Sequence, residues 1–224
     1  MKHLNVRNTL LALALTGAAS ASFAATTSTL DLTVGGTISP APCTLDFDAG
    51  NTVDFGTTKA SALSKTAYYN LGILSTHANI TCSAPIKAAF KIVDNRAASA
   101  IRDDGMNALI SNFGQSYLFG LGQANSINIG AYGIYFTEAA VFDGTTQANN
   151  MLSTNGTAWT NNTNTWLDPS GKTFYSAGSG TTPAAGRNMS YQIKVKAALN
   201  KATALNLVND IQLDGAATFE LVYL

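Results

Sequence analysis

Apolar and polar residues alternate with period two along much of the chain. Over Thr76–Cys82, the residues Thr76, Ala78, Ile80 and Cys82 share one face, and Ser75, His77, Asn79 and Thr81 share the other. Phe90 and Ile92 flank Lys91 in the next segment, which ends at the turn-forming Asp94-Asn95-Arg96. Ala131–Phe136 is aromatic and apolar. In Ser190–Ala197, Tyr191, Ile193, Val195 and Ala197 oppose Gln192, Lys194 and Lys196. The last residues repeat the pattern, with Ala217, Phe219, Leu221 and Tyr223 opposite Thr218, Glu220 and Val222. Alternation bounded by turn residues predicts β-strands. No long stretch carries a 3.6-residue stripe, and only Asn200–Val208 suits a short helical turn. The expected fold is all-β, an antiparallel β-sandwich.

Asn149–Gly186 breaks this pattern. It is dominated by Asn, Thr, Ser and Gly and interrupted by Trp159, Trp166, Phe174 and Tyr175. Roughly 35 residues is too long for a hairpin loop. The segment is expected to be an elaborated insertion at about 149–186, with a short hairpin around Lys172–Ser176. Too little chain follows for it to link two cores.

Composition moves the chain out of the cytosol. Thr (27) and Asn (20) are abundant, as strand faces and turns require, and only 12% of residues are charged, against about 25% in an ordinary domain. Thirteen basic residues balance thirteen acidic ones, so no basic stripe exists to bind nucleic acid. Lys2, His3 and Arg7 precede the apolar run Leu10–Ala19 and the small-residue site Ser22-Phe23-Ala24, which reads as a secretory signal over residues 1–24. In an exported protein the lone pair Cys43 and Cys82 is most simply a disulfide. Closing a loop of about 40 residues would contribute about 4 kcal/mol in the chain-entropy model.

Counting removes most catalytic chemistry. Beyond the signal, His77 is the sole histidine, which excludes zinc sites built on several His and leaves a Ser-His-Asp triad resting on one residue. His77 lies on the polar face of its strand and is expected to be solvated. Asp103-Asp104-Gly105 lacks the spaced ligands of a calcium loop and reads as a turn. Gly120-x-Gly122 lacks the rest of a dinucleotide fingerprint and reads as a strand end. No cofactor, metal or catalytic residue is expected, and the chain does not read as an enzyme. Trp159 and Trp166 are the candidate sugar-stacking residues, with packing of the insertion as the alternative.

The two ends of the chain then carry a resemblance. Leu30, Leu32, Val34, Gly36 and Ile38 alternate on one face, Gly36 stands seven positions before Cys43, and Pro42-Cys43 is matched later by Ile80-Thr81-Cys82-Ser83-Ala84-Pro85. The chain closes on an alternating apolar strand with a penultimate Tyr223. In these features it resembles fimbrial subunits of the chaperone–usher pathway, as a divergent branch. The resemblance implies an incomplete immunoglobulin-like sandwich over 39–224, completed by a donor strand. Residues 25–38 would be the donor extension, inserting Leu30, Leu32, Val34 and Ile38, with Gly36 at a close backbone approach. Ala217, Phe219, Leu221 and Tyr223 would face a periplasmic chaperone and then a neighbouring subunit at an outer-membrane usher, building a fibre on the cell surface. The alternative function is an adhesive or sugar-binding module that recognises glycans through Trp159 and Trp166.

Overall fold

The alternating segments form antiparallel strands in the computed structural model, which describes residues 29–38, 42–48 and 50–224. The expected signal lies outside the described residues. The chain divides into two units, Met1–Ser39 and Pro40–Leu224. Among the described residues the strands of five residues or more are β1 (Cys43–Phe47), β2 (Tyr69–Asp94), β3 (Gly130–Phe136), β4 (Asn149–Ser153), β5 (Phe174–Ser179), β6 (Ala185–Leu199) and β7 (Ala217–Tyr223). The class is all-β and the arrangement is sandwich-like.

β2 organises the second unit. Thr76–Cys82 and the Phe90–Ile92 segment, read from sequence as separate strands, are two halves of one 26-residue strand. Its first half pairs with β1 and β6, and β6 pairs in turn with β3. Its second half pairs with β7, from Ala217↔Asp94 to Tyr223↔Ala88, and touches β5 at Tyr175↔Phe90. The β6 register shifts between Gly186 and Asn188, opposite the Cys82–Pro85 stretch. Pro85 has no N–H to give a ladder, so pairing can lapse there without an orphaned donor. One strand thereby turns the corner between two sheets.

The alternation sets what each half buries. Thr76, Ala78, Ile80 and Cys82 are buried from β2, and Tyr191, Ile193, Val195 and Ala197 from β6. Phe90 meets Tyr191 at 5.1 Å and Phe136 at 6.2 Å between ring centroids across the layers, and Phe219 of the adjacent strand at 5.7 Å. Edge-on and tilted aromatic pairs at these spacings add to the burial of their area.

Two local expectations change. Asp103 is a helix cap: its carboxylate accepts the Met106 N–H at 2.8 Å and starts α1 (Asp104–Ile110), which buries Met106 and Ile110. Seven residues are too few to display a stripe, so the helix was not legible. Asn200–Val208 keeps its expected turn, in which the Lys201 carbonyl accepts the N–H groups of Ala204 (3.0 Å) and Leu205 (3.3 Å). The insertion is a wall of the second sheet: β4 pairs with β5 from Phe174↔Ser153 to Gly178↔Asn149. Its hairpin turns later than expected, with β5 folding back onto Thr182–Pro183 through Gly180 at φ +60°. Only a residue tolerating that left-handed conformation suits the turn.

Candidate functional site

Among the described residues β7 is paired on one side only, with β2. Its other edge therefore presents backbone donors and acceptors without ladder partners, the situation that invites another strand. The side chains of β7 are divided between two environments. Ala217, Phe219 and Leu221 pack against the main core, and Phe219 stands edge-on to Phe47 of β1 at 5.0 Å. Val222 faces the opposite way, onto Ala89, Met151 and Trp159. Tyr223 is 43% exposed, and its hydroxyl accepts the Cys43 N–H at 3.0 Å, tying the end of β7 to the start of β1.

Beside the free edge lies a cavity of about 600 Å³. Phe47 and Phe219 stand at its sides, and Ile134, Ile193 and Val195 form its floor. The chain segments over it, 52–58 and 210–216, form no strand. They contribute the apolar Val53, Phe55, Ile211 and Leu213 and the polar Asp54, Asp210 and Gln212 to the lining, and Val208 beside them is 84% exposed. The apolar part of this surface and the unpaired backbone beside it are costly to leave in water.

One polar atom interrupts the floor. Thr76 lines the cavity, is 7% exposed, and its hydroxyl has no hydrogen-bond partner. Burying a hydroxyl without a partner costs on the order of 1–3 kcal/mol.

The 210–216 segment is tethered electrostatically near its end, at Asp214. Arg96 meets Asp214 through two bonds, Nε to Oδ2 at 2.8 Å and Nη2 to Oδ1 at 3.0 Å. The guanidinium holds the Asp214 carboxyl below its ordinary range. Asp94, at the β2 end that pairs with Ala217, is buried, and its carboxylate accepts the N–H groups of Arg96 (2.8 Å) and Gly120 (2.9 Å). Burial pushes its pKa up, and these two N–H bonds oppose the rise.

The residues singled out from the sequence fall in distinct places. Cys43 and Cys82 form a disulfide between directly paired positions of β1 and β2. Leu30, Leu32, Val34 and Ile38 lie in a segment without assigned strand and are 96%, 87%, 88% and 101% exposed; Gly36 lies among them. Trp159 is 5% exposed, so its ring belongs to the packing of the insertion and offers no face to a sugar. Trp166 is half-buried and rests on Tyr135 at 4.4 Å. His77 is not merely solvated: Nδ1 lies 2.7 Å from Asp48, which also accepts the Asn79 amide. The Asn79 and His77 bonds together lower the Asp48 pKa. Neither this contact nor the cavity was visible in the sequence, because both join segments far apart in the chain. Among the described residues, no group of three or more His, Cys, Asp or Glu is placed to hold a metal.

Residues 32–133 match the model of a family described as a protein of unknown function, DUF1120. That span runs from the exposed alternating segment through both cysteines into β3. The chain is also similar to Protein GltF of Escherichia coli (strain K12), with 28% identity over 251 aligned residues that cover 98% of each protein.

Proposed function

We propose that this chain is a structural subunit of a surface fimbria, exported to the periplasm and polymerised by donor-strand exchange. The sandwich-like unit is read as an incomplete immunoglobulin-type domain whose missing strand comes from elsewhere. The observation that carries the reading is the unpaired edge of β7 running beside a cavity whose lining is in part apolar. An extended peptide answers both needs at once, because its backbone completes the ladder and its alternate side chains fill the groove. The segment around Leu30, Leu32, Val34 and Ile38 has that pattern. Four such side chains at about 1.5–3 kcal/mol each give roughly 6–12 kcal/mol of gross burial, comparable with a domain's net stability. In this scheme a periplasmic chaperone occupies the groove first, and the extension of a neighbouring subunit replaces it at an outer-membrane usher. The role is non-catalytic. A glycan-binding module is the weaker reading, because Trp159 is turned inward.

Surface extracts run on denaturing gels without heating test the proposal. A ladder of oligomers that collapses to monomer on boiling is expected, and it should vanish in a Leu32→Asp, Val34→Asp double variant. A wild-type chain that migrates as monomer in both heated and unheated surface extracts would overturn it.

A further inference from the structure

The cavity sits beside only the first part of β7. Ala217 and Phe219 line it, whereas Leu221 and Tyr223 do not. At the Tyr223 end the gap is spanned by the bond from the Cys43 N–H to the Tyr223 hydroxyl. Upstream of Ala217 the lining continues instead through Gly215, Leu213 and Ile211. These residues keep the phase of β7, with Ile211, Leu213, Gly215, Ala217 and Phe219 alternating with Gln212, Asp214, Ala216 and Thr218. Ile211 packs against the main core, as Ala217 and Phe219 do.

The backbone keeps the same phase. Leu224 donates its N–H to the Lys87 carbonyl at 3.0 Å, and the Ala216 carbonyl accepts the Asn95 N–H at 2.9 Å. Even-numbered positions of β7 therefore bond toward β2, and the N–H and C=O of odd-numbered positions point to the free edge. Asp214 continues the series: its N–H goes to the Leu121 carbonyl at 3.0 Å, and its own carbonyl accepts Arg96 Nε at 3.2 Å. Among the described residues, the backbone groups of Ile211, Leu213 and Gly215 have no hydrogen-bond partner. The segment forms no strand because β2 ends at Asp94 and the chain turns away there. Its tethers thus hold one edge and leave the other bare.

We propose that the strand-accepting edge is residues 211–219, that 211–216 become strand when it is occupied, and that the occupant is the extension of a second copy. This deepens the strand-exchange reading and rests on it. Length supports the match. Leu30 to Ile38 and residues 211–219 each span about 26 Å when extended, whereas Ala217 to Phe219 offers about 7 Å. A lipid tail could fill the volume but would leave the edge unpaired.

The test uses the full chain with a labelled peptide of residues 25–39 added in trans. In residue-resolved hydrogen exchange the peptide should slow the Leu213, Gly215, Ala217 and Phe219 amides at least about tenfold and leave Leu221 and Tyr223 unchanged. A straight-chain fatty acid should leave all of them unchanged, and slowing equal to the peptide's would overturn the choice of occupant. Paired prolines then isolate the backbone, since each removes one N–H and adds no charge. Leu213→Pro deletes an edge-facing N–H and should bind the peptide at least about threefold more weakly than Leu213→Ala. Gln212→Pro deletes one that faces the other way and should stay within about twofold of wild type. Protection centred on Leu221 and Tyr223, or equal weakening by both prolines, would overturn this edge while leaving strand acceptance intact. Failure of the native peptide to bind wild type at all would overturn strand acceptance and the edge with it.

Discussion

The two faces of β7 rest on different kinds of neighbour. Toward the insertion, Val222 meets Trp159, Met151 and Ala89, so that end of the face is covered by its own chain, while Glu220 is exposed and reaches Lys91 at 3.0 Å. Toward the cavity, Phe219 and Ala217 line a volume of about 600 Å³ whose covering segments form no strand. The same seven residues thus serve one region that folding has finished and another that it has left open. The polar, Trp-bearing insertion, whose tryptophans were the candidate sugar-stacking residues, is the closed one. The plain alternation of the last strand borders the open one. An aromatic residue in a polar segment is therefore weak evidence for a ligand site: a long insertion needs anchors, and Trp159 is one.

Separating stability from strand acceptance would sharpen this contrast. The largest effect is expected for Trp159→Ala, which should lower unfolding free energy by about 3–5 kcal/mol. Binding of the 25–39 peptide to the protein that remains folded should stay close to wild type. Chemical denaturation and peptide titration measured side by side check this; strong loss of peptide affinity would merge the two regions into one. Phe219→Ala should do the reverse. Because Phe219 is half-buried, its truncation should cost only about 2 kcal/mol. Peptide affinity should fall by at least about tenfold, since the side chain forms one side of the groove.

The smallest expected effect is a pH slope at the hinge between the regions. Asp94 is buried beside the first residue of β7, and its folded pKa is raised above the ordinary 3.8 by burial. The folded state therefore holds that proton more tightly than the unfolded one. Its contribution to stability falls as pH rises from the ordinary value through the raised one, and is level above it. Asp48, Asp103, Asp143 and Asp214 have lowered pKa values and act in the opposite direction, below 3.8. Asp94→Asn should remove the decline above 3.8 and leave the acid limb unchanged. Parallel stability curves for variant and wild type across that window would show that Asp94 does not carry the slope.

What was legible in the sequence was local and periodic. Strand faces follow from a two-residue repeat, so the buried sets Thr76–Ala78–Ile80–Cys82 and Tyr191–Ile193–Val195–Ala197 could be read directly. The Cys43–Cys82 bridge followed from a pair of cysteines in a chain read as exported, and the alternation of the last strand from Ala217 onward. Period two says which side of a strand is buried, but not which strand lies beside it. Only the tertiary structure decided that β2 runs unbroken for 26 residues and serves two sheets, and that Trp159 is buried. It alone placed Asp48 beside His77 and left the outer edge of β7 unpaired among the described residues. Each of these depends on contacts between residues tens to more than a hundred positions apart. Thr76 makes the point in one residue: its place on the inward face could be read from its neighbours, but its hydroxyl's lack of a partner is set by everything packed around it.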